Sequence, residues 1–292
     1  MPHKVTVGLD GSLESSAAAR WAAREALLRE VPLCLVYADE WPVSAAMPVD
    51  RPGAQREWAD ELLDAAAGEL RQSYPSLEVS TRRLSGRPAA ALSIEAAEAD
   101  LLALGSRGPS GVTGFLLGSV GMATICATER PVVLVRVPGN PGGPAEPPPG
   151  PPSGDVVVGV DIHHSCGSLL DFAFDEAALR GGRLRAVYGW SLPPFARDAS
   201  ALARAEREMS PNVARRLTAV LAPWRERYPS VEVEERAPIG GPSQQLVHAA
   251  AGAELVAVGR RIRRSPLGAH IGSVAHAAIH HCAAPVAVVA HD

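Results

Sequence analysis

Short apolar runs recur along the chain, and between them apolar residues return every three or four positions. In the first half the runs Val5 to Leu9, Leu33 to Tyr37, Leu77 to Arg82, Leu101 to Leu104 and Val132 to Val137 read as strands. The first, fourth and fifth are nearly continuously apolar, as parallel strands covered on both faces are. Helical segments fall between them. Trp58, Leu62, Leu63, Ala66 and Leu70 make one stripe at helical spacing, expected to pack on the sheet. A helix opening at Gly118-Ser119 has to stop at Pro131, which disfavours helical backbone before it. The order βαβαβαβαβ predicts an open parallel sheet with right-handed crossovers, a doubly wound α/β unit.

The pattern then repeats. VTVGLD, ending at Asp10, returns as VVVGVD, ending at Asp161, and Val36-Tyr37 answers to Val187-Tyr188 at the same offset. After one change of offset, Tyr74-Pro75-Ser76 matches Tyr228-Pro229-Ser230, and Gly86-x-Pro88 matches Gly240-x-Pro242. The same register carries Gly105 to Gly259, Gly118-Ser119 to Gly272-Ser273, and Pro131-Val132 to Pro285-Val286. So many anchors with a single offset change indicate a duplication. Between the copies runs PGNPGGPAEPPPGPPSG, whose prolines lack amide donors and whose glycines are costly to order. The expected organisation is a first domain over 1–138, a linker over 139–154 with the boundary near Glu146, and a second domain over 155–292. Each domain is expected to be Rossmann-like, built on an open five-stranded parallel sheet.

A chain of 292 residues suffices for two cores, and 47% hydrophobic with 21% charged residues is ordinary for a globular protein. A net charge of -4 provides no general attraction to nucleic acid or to an anionic membrane. Cys34, Cys126, Cys166 and Cys282 lack C-x-x-C spacing and read as free thiols in a reducing compartment. The start runs straight into a strand, without the flanks of a signal peptide, and no apolar run spans a bilayer. The expected location is cytoplasmic.

In doubly wound sheets, ligands sit beyond the carboxyl ends of the strands, where the winding reverses. Two features fall there. Asp10 closes the first strand, placed to meet ribose hydroxyls, adenine or a metal, or simply to cap a helix. Gly105-Ser106-Arg107-Gly108 closes the fourth strand, and nine residues further Gly118-Ser119 opens a helix. Gly105 and Gly108 let backbone amides come close to an anion, and the helix start adds unpaired N–H groups and about half a positive charge. Together they describe a cradle for a polyphosphate. A bare turn would not need three glycines and a capping serine.

These residues resemble the universal stress protein family in its tandem two-domain form. The resemblance covers the chain outside the linker. It rests on G-x-x-G-x9-G-[ST], met by Gly105, Gly108, Gly118 and Ser119, and on V-G-x-D-G-S, met by Val7, Gly8, Asp10, Gly11 and Ser12. It implies an adenine nucleotide, usually ATP, with magnesium as a candidate companion. It also implies a first-domain site formed by Gly8, Asp10, Ala38, Gly105, Ser106, Arg107, Gly108, Gly118, Ser119 and Val120. There the Asp10 position contacts the nucleoside, Ala38 lines the adenine pocket and the glycine-loop amides hold phosphate. In the family the last strand mediates pairing between domains. The two copies are therefore expected to associate along Val132 to Val137 and Val286 to Ala290, and the whole chain to form a homodimer.

The second copy departs from the motif. Gly11 becomes Ile162, Gly108 becomes Ile262, and Arg260, Arg261, Arg263 and Arg264 cluster at the loop. A β-branched residue at a position needing positive φ costs at least roughly 1–2 kcal/mol. Asp161, Gly259, Gly272 and Ser273 survive as a weaker candidate site. The arginines read as a solvated loop over a vestige, or as side-chain replacements for lost backbone contacts. His276 and His280 share a helix face without a third ligand and read as surface histidines. No Walker lysine, nucleophile elbow or evident base for water is found, so fast hydrolysis is not expected. A regulatory ATP-binding protein is the favoured reading. The alternatives are a slow ATPase, self-phosphorylation at Ser110, Thr113, Ser119 or Thr124, and a sensor of AMP or cyclic AMP.

Overall fold

The computed structural model describes residues 3–39, 53–106, 118–137, 154–193, 198–262 and 271–292. The chain divides into two compact units, 1–143 and 144–292, and the run of prolines and glycines at their junction lies outside the described residues. Each unit is an α/β sandwich around parallel strands.

The first unit holds β1 (Val5–Leu9), α1 (Leu13–Leu28), β2 (Leu33–Asp39), α2 (Ala54–Ser73), β3 (Val79–Ser85), α3 (Pro88–Ala97), β4 (Leu101–Gly105), α4 (Ser119–Ala127) and β5 (Val132–Val135). Its strands run parallel in the order β3-β2-β1-β4-β5, with Val5 in register with both Leu33 and Leu101. The chain winds outward from β1 to β3 and then returns to β4 beside β1, so the reversal lies between β1 and β4. Val5, Val7, Leu33, Leu35 and Leu101 to Ala103 are fully buried, as helices on both sheet faces require.

Several boundaries shift from the sequence reading: β2, β3 and β4 end later, at Asp39, Ser85 and Gly105. β3 begins at Val79, because the Leu77 amide donates to the Tyr74 carbonyl in a turn at 3.0 Å. β5 stops at Val135, whose carbonyl accepts from the Ser106 amide at 2.7 Å, just past the end of β4. The stripe on α2 is rotated by one residue: Ala59, Leu63, Ala67 and Leu70 are buried, while Trp58 stays 45% exposed. Alanines at 59 and 67 allow close approach to the sheet, which a tryptophan in that row would prevent.

The second unit repeats the plan with β6 (Val156–Gly159), α5 (Gly167–Arg180), β7 (Leu184–Val187), α6 (Ala199–Glu208), α7 (Ser210–Arg227), β8 (Val233–Arg236), α8 (Pro242–Ala249), β9 (Leu255–Arg261), α9 (Ser273–His281) and β10 (Val286–His291). Its strand order is β8-β7-β6-β9-β10, again all parallel. It adds α6, whose N-cap Asp198 accepts from the Ser200 and Ala201 amides at 2.9 Å each. Ala205 of this helix packs with Trp190 and Leu192 in a small core of their own.

Candidate functional site

At the carboxyl end of β1 the chain turns sharply. Ser12 caps α1 with its Oγ, which accepts from the Ser15 amide at 3.1 Å. Asp10 is therefore not the cap. Its carboxylate braces the turn, accepting from the Ser12 amide at 3.0 Å and from the Ser12 hydroxyl. Gly11 has φ +81°, and a Cβ there would lie 3.1 Å from the Trp58 ring. Trp58 stands edge-on to Tyr37 at 5.5 Å, so this aromatic pair fixes the back of the turn. Ala38, beside Tyr37, lies half-buried at the end of β2.

The glycines of the strand ends have packing duties too. A Cβ on Gly8 would meet Leu104 at 2.7 Å, and one on Gly105 would lie 2.6 Å from the Glu14 carbonyl carbon and the Ser15 nitrogen. Gly105 thus lets β4 end against the first turn of α1, which carries the Asp10 turn. The two strand ends flanking the reversal are held together by backbone.

Across the reversal, Gly118 is the N-cap of α4 with φ -60° and ψ 149°, and no side chain closes the helix end. The first intrahelical bond is Met122 N–H to Gly118 carbonyl at 3.1 Å. The amides of Ser119, Val120 and Gly121 precede it and have no partner inside the helix. Ser119 and Val120 are exposed. An end that α1 closes with a serine is here left open, and such an end attracts an anion. This donor set suits phosphate. Arg107, Gly108, Ser110 and Thr113 lie outside the described residues. Thr124 is fully buried, and its hydroxyl donates to the Val120 carbonyl at 2.8 Å, which removes it as a phosphate acceptor.

The second copy keeps the helix end and changes the rest. Gly272 caps α9 without a side-chain bond, and His276 N–H to the Gly272 carbonyl at 2.9 Å is the first intrahelical bond. β9, however, runs on through Arg260 and Arg261, paired with Ala290 and His291, where β4 ends at Gly105. The Ile262 amide then donates to the His291 carbonyl at 2.7 Å. Among the described non-glycine residues only Glu30 has positive φ, so the strain expected at Ile262 is absent. Strand β9 carries extended backbone up to Arg261, the residue before Ile262. Ile162 likewise has ordinary φ and is buried.

Two of the four loop arginines lie among the described residues. Arg260 is 4% exposed, facing inward. Arg261 donates to the Asp161 carboxylate at 3.0 Å across the cleft. Asp161 also accepts from the His163 amide and binds His164 Nδ1, both at 2.9 Å. Burial pushes the Asp161 carboxyl upward, but these hydrogen bonds outweigh it and hold the group below the usual carboxylate range. Arg263 and Arg264 lie outside the described residues. A cavity of about 650 Å³ opens at this strand end, lined among others by Asp161, Cys166, Tyr188, Gly259, Arg261 and Ser273.

Other candidates settle plainly. The rings of His276 and His280 lie 4.2 Å apart, and no group of three or more potential metal ligands occurs among the described residues. Cys34, Cys166 and Cys282 are buried thiols and Cys126 is half-buried. No helix among the described residues is long and apolar enough to cross a membrane.

The model of the universal stress protein family matches the chain twice, over residues 1–136 and 153–290. The chain belongs to that family. Universal stress protein Rv2005c of Mycobacterium tuberculosis is 33% identical over 303 residues, covering 98% of this chain and 96% of its own. A universal stress protein from Archaeoglobus fulgidus DSM 4304 shares the fold, with a TM-score of 0.70 at 17% identity over 99% of this chain and 98% of that one. A universal stress protein solved in complex with cAMP aligns with 47% of this chain and 98% of its own length, 28% identical, at a TM-score of 0.36.

Sequence reasoning missed the Trp58–Gly11 contact and the Asp161–Arg261 bridge. Trp58 was assigned to the buried face of α2, although a glycine two residues past a strand end invites an aromatic lid. Arg261 was grouped with its charged neighbours, although strand alternation already places residues 260 and 261 on opposite faces.

Proposed function

We propose that the chain is an ATP-binding regulatory protein holding one nucleotide per chain in its first domain. The observation that carries the reading is the open, glycine-capped start of α4, in a domain whose first strand is closed by the Asp10 turn. In this reading Asp10 and Ala38 take the nucleoside side, with Gly8 at their back. Gly105 and Ser106 lead into a loop that, with Arg107 and Gly108, bears on the phosphates, and the Ser119 and Val120 amides complete the cradle. Magnesium, where present, is carried by the phosphates. The nucleotide tunes stability or partner binding, the chain works in the cytoplasm, and it forms homodimers that light scattering at defined concentration will detect.

The deciding experiment is mass spectrometry of the nucleotide released from heat-denatured purified protein, followed by calorimetric titration of the stripped protein. ATP at a stoichiometry near one is expected. AMP or cyclic AMP released in place of ATP, or two equal tight sites, would refute the reading. A time course with γ-labelled ATP tests the enzymatic alternatives, with retained ATP and unlabelled protein as the expected result.

A further inference from the structure

The cleft of the second domain is remodelled rather than emptied. Where β4 ends at Gly105, β9 continues for two more residues, Arg260 and Arg261, and the Ile262 amide then donates to the His291 carbonyl. At the end of β7, Gly189 occupies the place of Ala38, and a Cβ there would lie 2.7 Å from the Pro242 Cα of α8. Helix α8 therefore already stands against the wall where a base would rest. A cavity of about 650 Å³ lies at this end of the sheet, within the range that takes a small organic ligand.

What lines this space is mostly aliphatic, with Leu169, Val187, Leu246, Val258 and Val274 among the walls. The polar groups gather at one side. Arg261 and the start of α9 supply positive charge, and Asp161 supplies negative charge. The guanidinium has five N–H donors, and Asp161 is its partner among the described residues, so most donors are left for a ligand. With Asp161 cancelling Arg261, the helix start leaves an excess of about half a positive charge. That suits a single anionic head.

We infer that the second cleft binds a small organic anion with one charged head and an apolar body, of which a medium-chain carboxylate is the simplest form. The head sits between the Arg261 guanidinium and the open amides of Ser273 and Val274, and the body lies along the aliphatic walls. The site is independent of the nucleotide reading of the first domain. It needs no covalent step.

The test uses the full-length, nucleotide-stripped protein with octanoate as probe. Calorimetry is expected to give one octanoate per chain, with octanol bound at least tenfold more weakly. Arg261→Met should weaken octanoate at least tenfold while leaving ATP stoichiometry as it was. Cys166, on the cavity wall, gives a second readout: octanoate should slow its alkylation, read by peptide mass spectrometry, and ATP should not. Absence of octanoate binding, equal binding in Arg261→Met, or protection of Cys166 by ATP or AMP would overturn the inference. Loss of ATP binding with octanoate binding intact would instead count against the first-domain reading alone.

Discussion

Gly118→Asp separates helix stability from ligand binding at one position. Gly118 has the extended backbone of an N-cap, so an aspartate fits there without strain. Its carboxylate would accept from the amides that open α4, and it would interact well with the helix dipole. Relative to glycine the cap adds a few tenths of a kcal/mol, and the dipole about 0.3–1 kcal/mol. The variant should melt no lower than wild type. Binding should suffer in two ways. Two amide bonds to a charged phosphate are taken over, costing about 2 kcal/mol. A fixed negative charge about 4 Å from phosphate adds roughly 4 kcal/mol at an effective dielectric of about 20, which exposure and salt reduce to about 2 kcal/mol. Together the loss is about 4 kcal/mol, close to a thousandfold in affinity. Gly118→Asn keeps the cap without the charge and should lose only about thirtyfold. Calorimetric titration with ATP and a thermal melt of ligand-free protein measure both sides. Affinity within threefold of wild type in Gly118→Asp, with the melt unchanged, would show that phosphate does not sit at this helix end.

Three further outcomes follow from particular contacts. Gly11→Ala should lower stability by roughly 1–2 kcal/mol in urea denaturation, because φ is +81° there; Trp58→Ala in the same chain should relieve the ring contact but not the backbone cost, and complete rescue would show that only the contact matters. Glu95 is 3% exposed and binds Lys4 at 2.6 Å and Arg82 at 2.9 Å, so Glu95→Ala should cost about 2 kcal/mol, less than a fully buried pair because Arg82 reaches solvent; an unchanged denaturation midpoint would contradict this. Asp161 has a folded-state pKa below its ordinary value, so its contribution is present above the ordinary carboxylate pKa and is lost as pH falls through the depressed one. Melting temperatures of wild type and Asp161→Asn should therefore differ at neutral pH, with the gap narrowing only as pH falls below about 4, and a constant gap would refute the assignment.

The comparison of the two copies explains why the fold was legible in the sequence and the second cleft was not. Apolar runs such as Val5 to Leu9 and Leu101 to Leu104 announce buried parallel strands because each residue's burial follows from its own type and its neighbours. Gly118-Ser119 likewise marks a helix start through local backbone chemistry. The cleft of the second domain depends on where a strand stops, which is a property of the partner strand. Whether residues 260 and 261 leave the sheet or continue it is decided by Ala290 and His291 of β10, which offer ladder partners two residues beyond Gly259. Substitution of Gly108 by Ile262 was read as damage to a fixed backbone. Ile262 follows a continued strand with ordinary φ, so the isoleucine is unstrained, Arg260 turns inward and Arg261 reaches Asp161. The substitutions at 162 and 262 are ones that an ordinary turn and a continued strand accept, and they fit a cleft reshaped for another ligand.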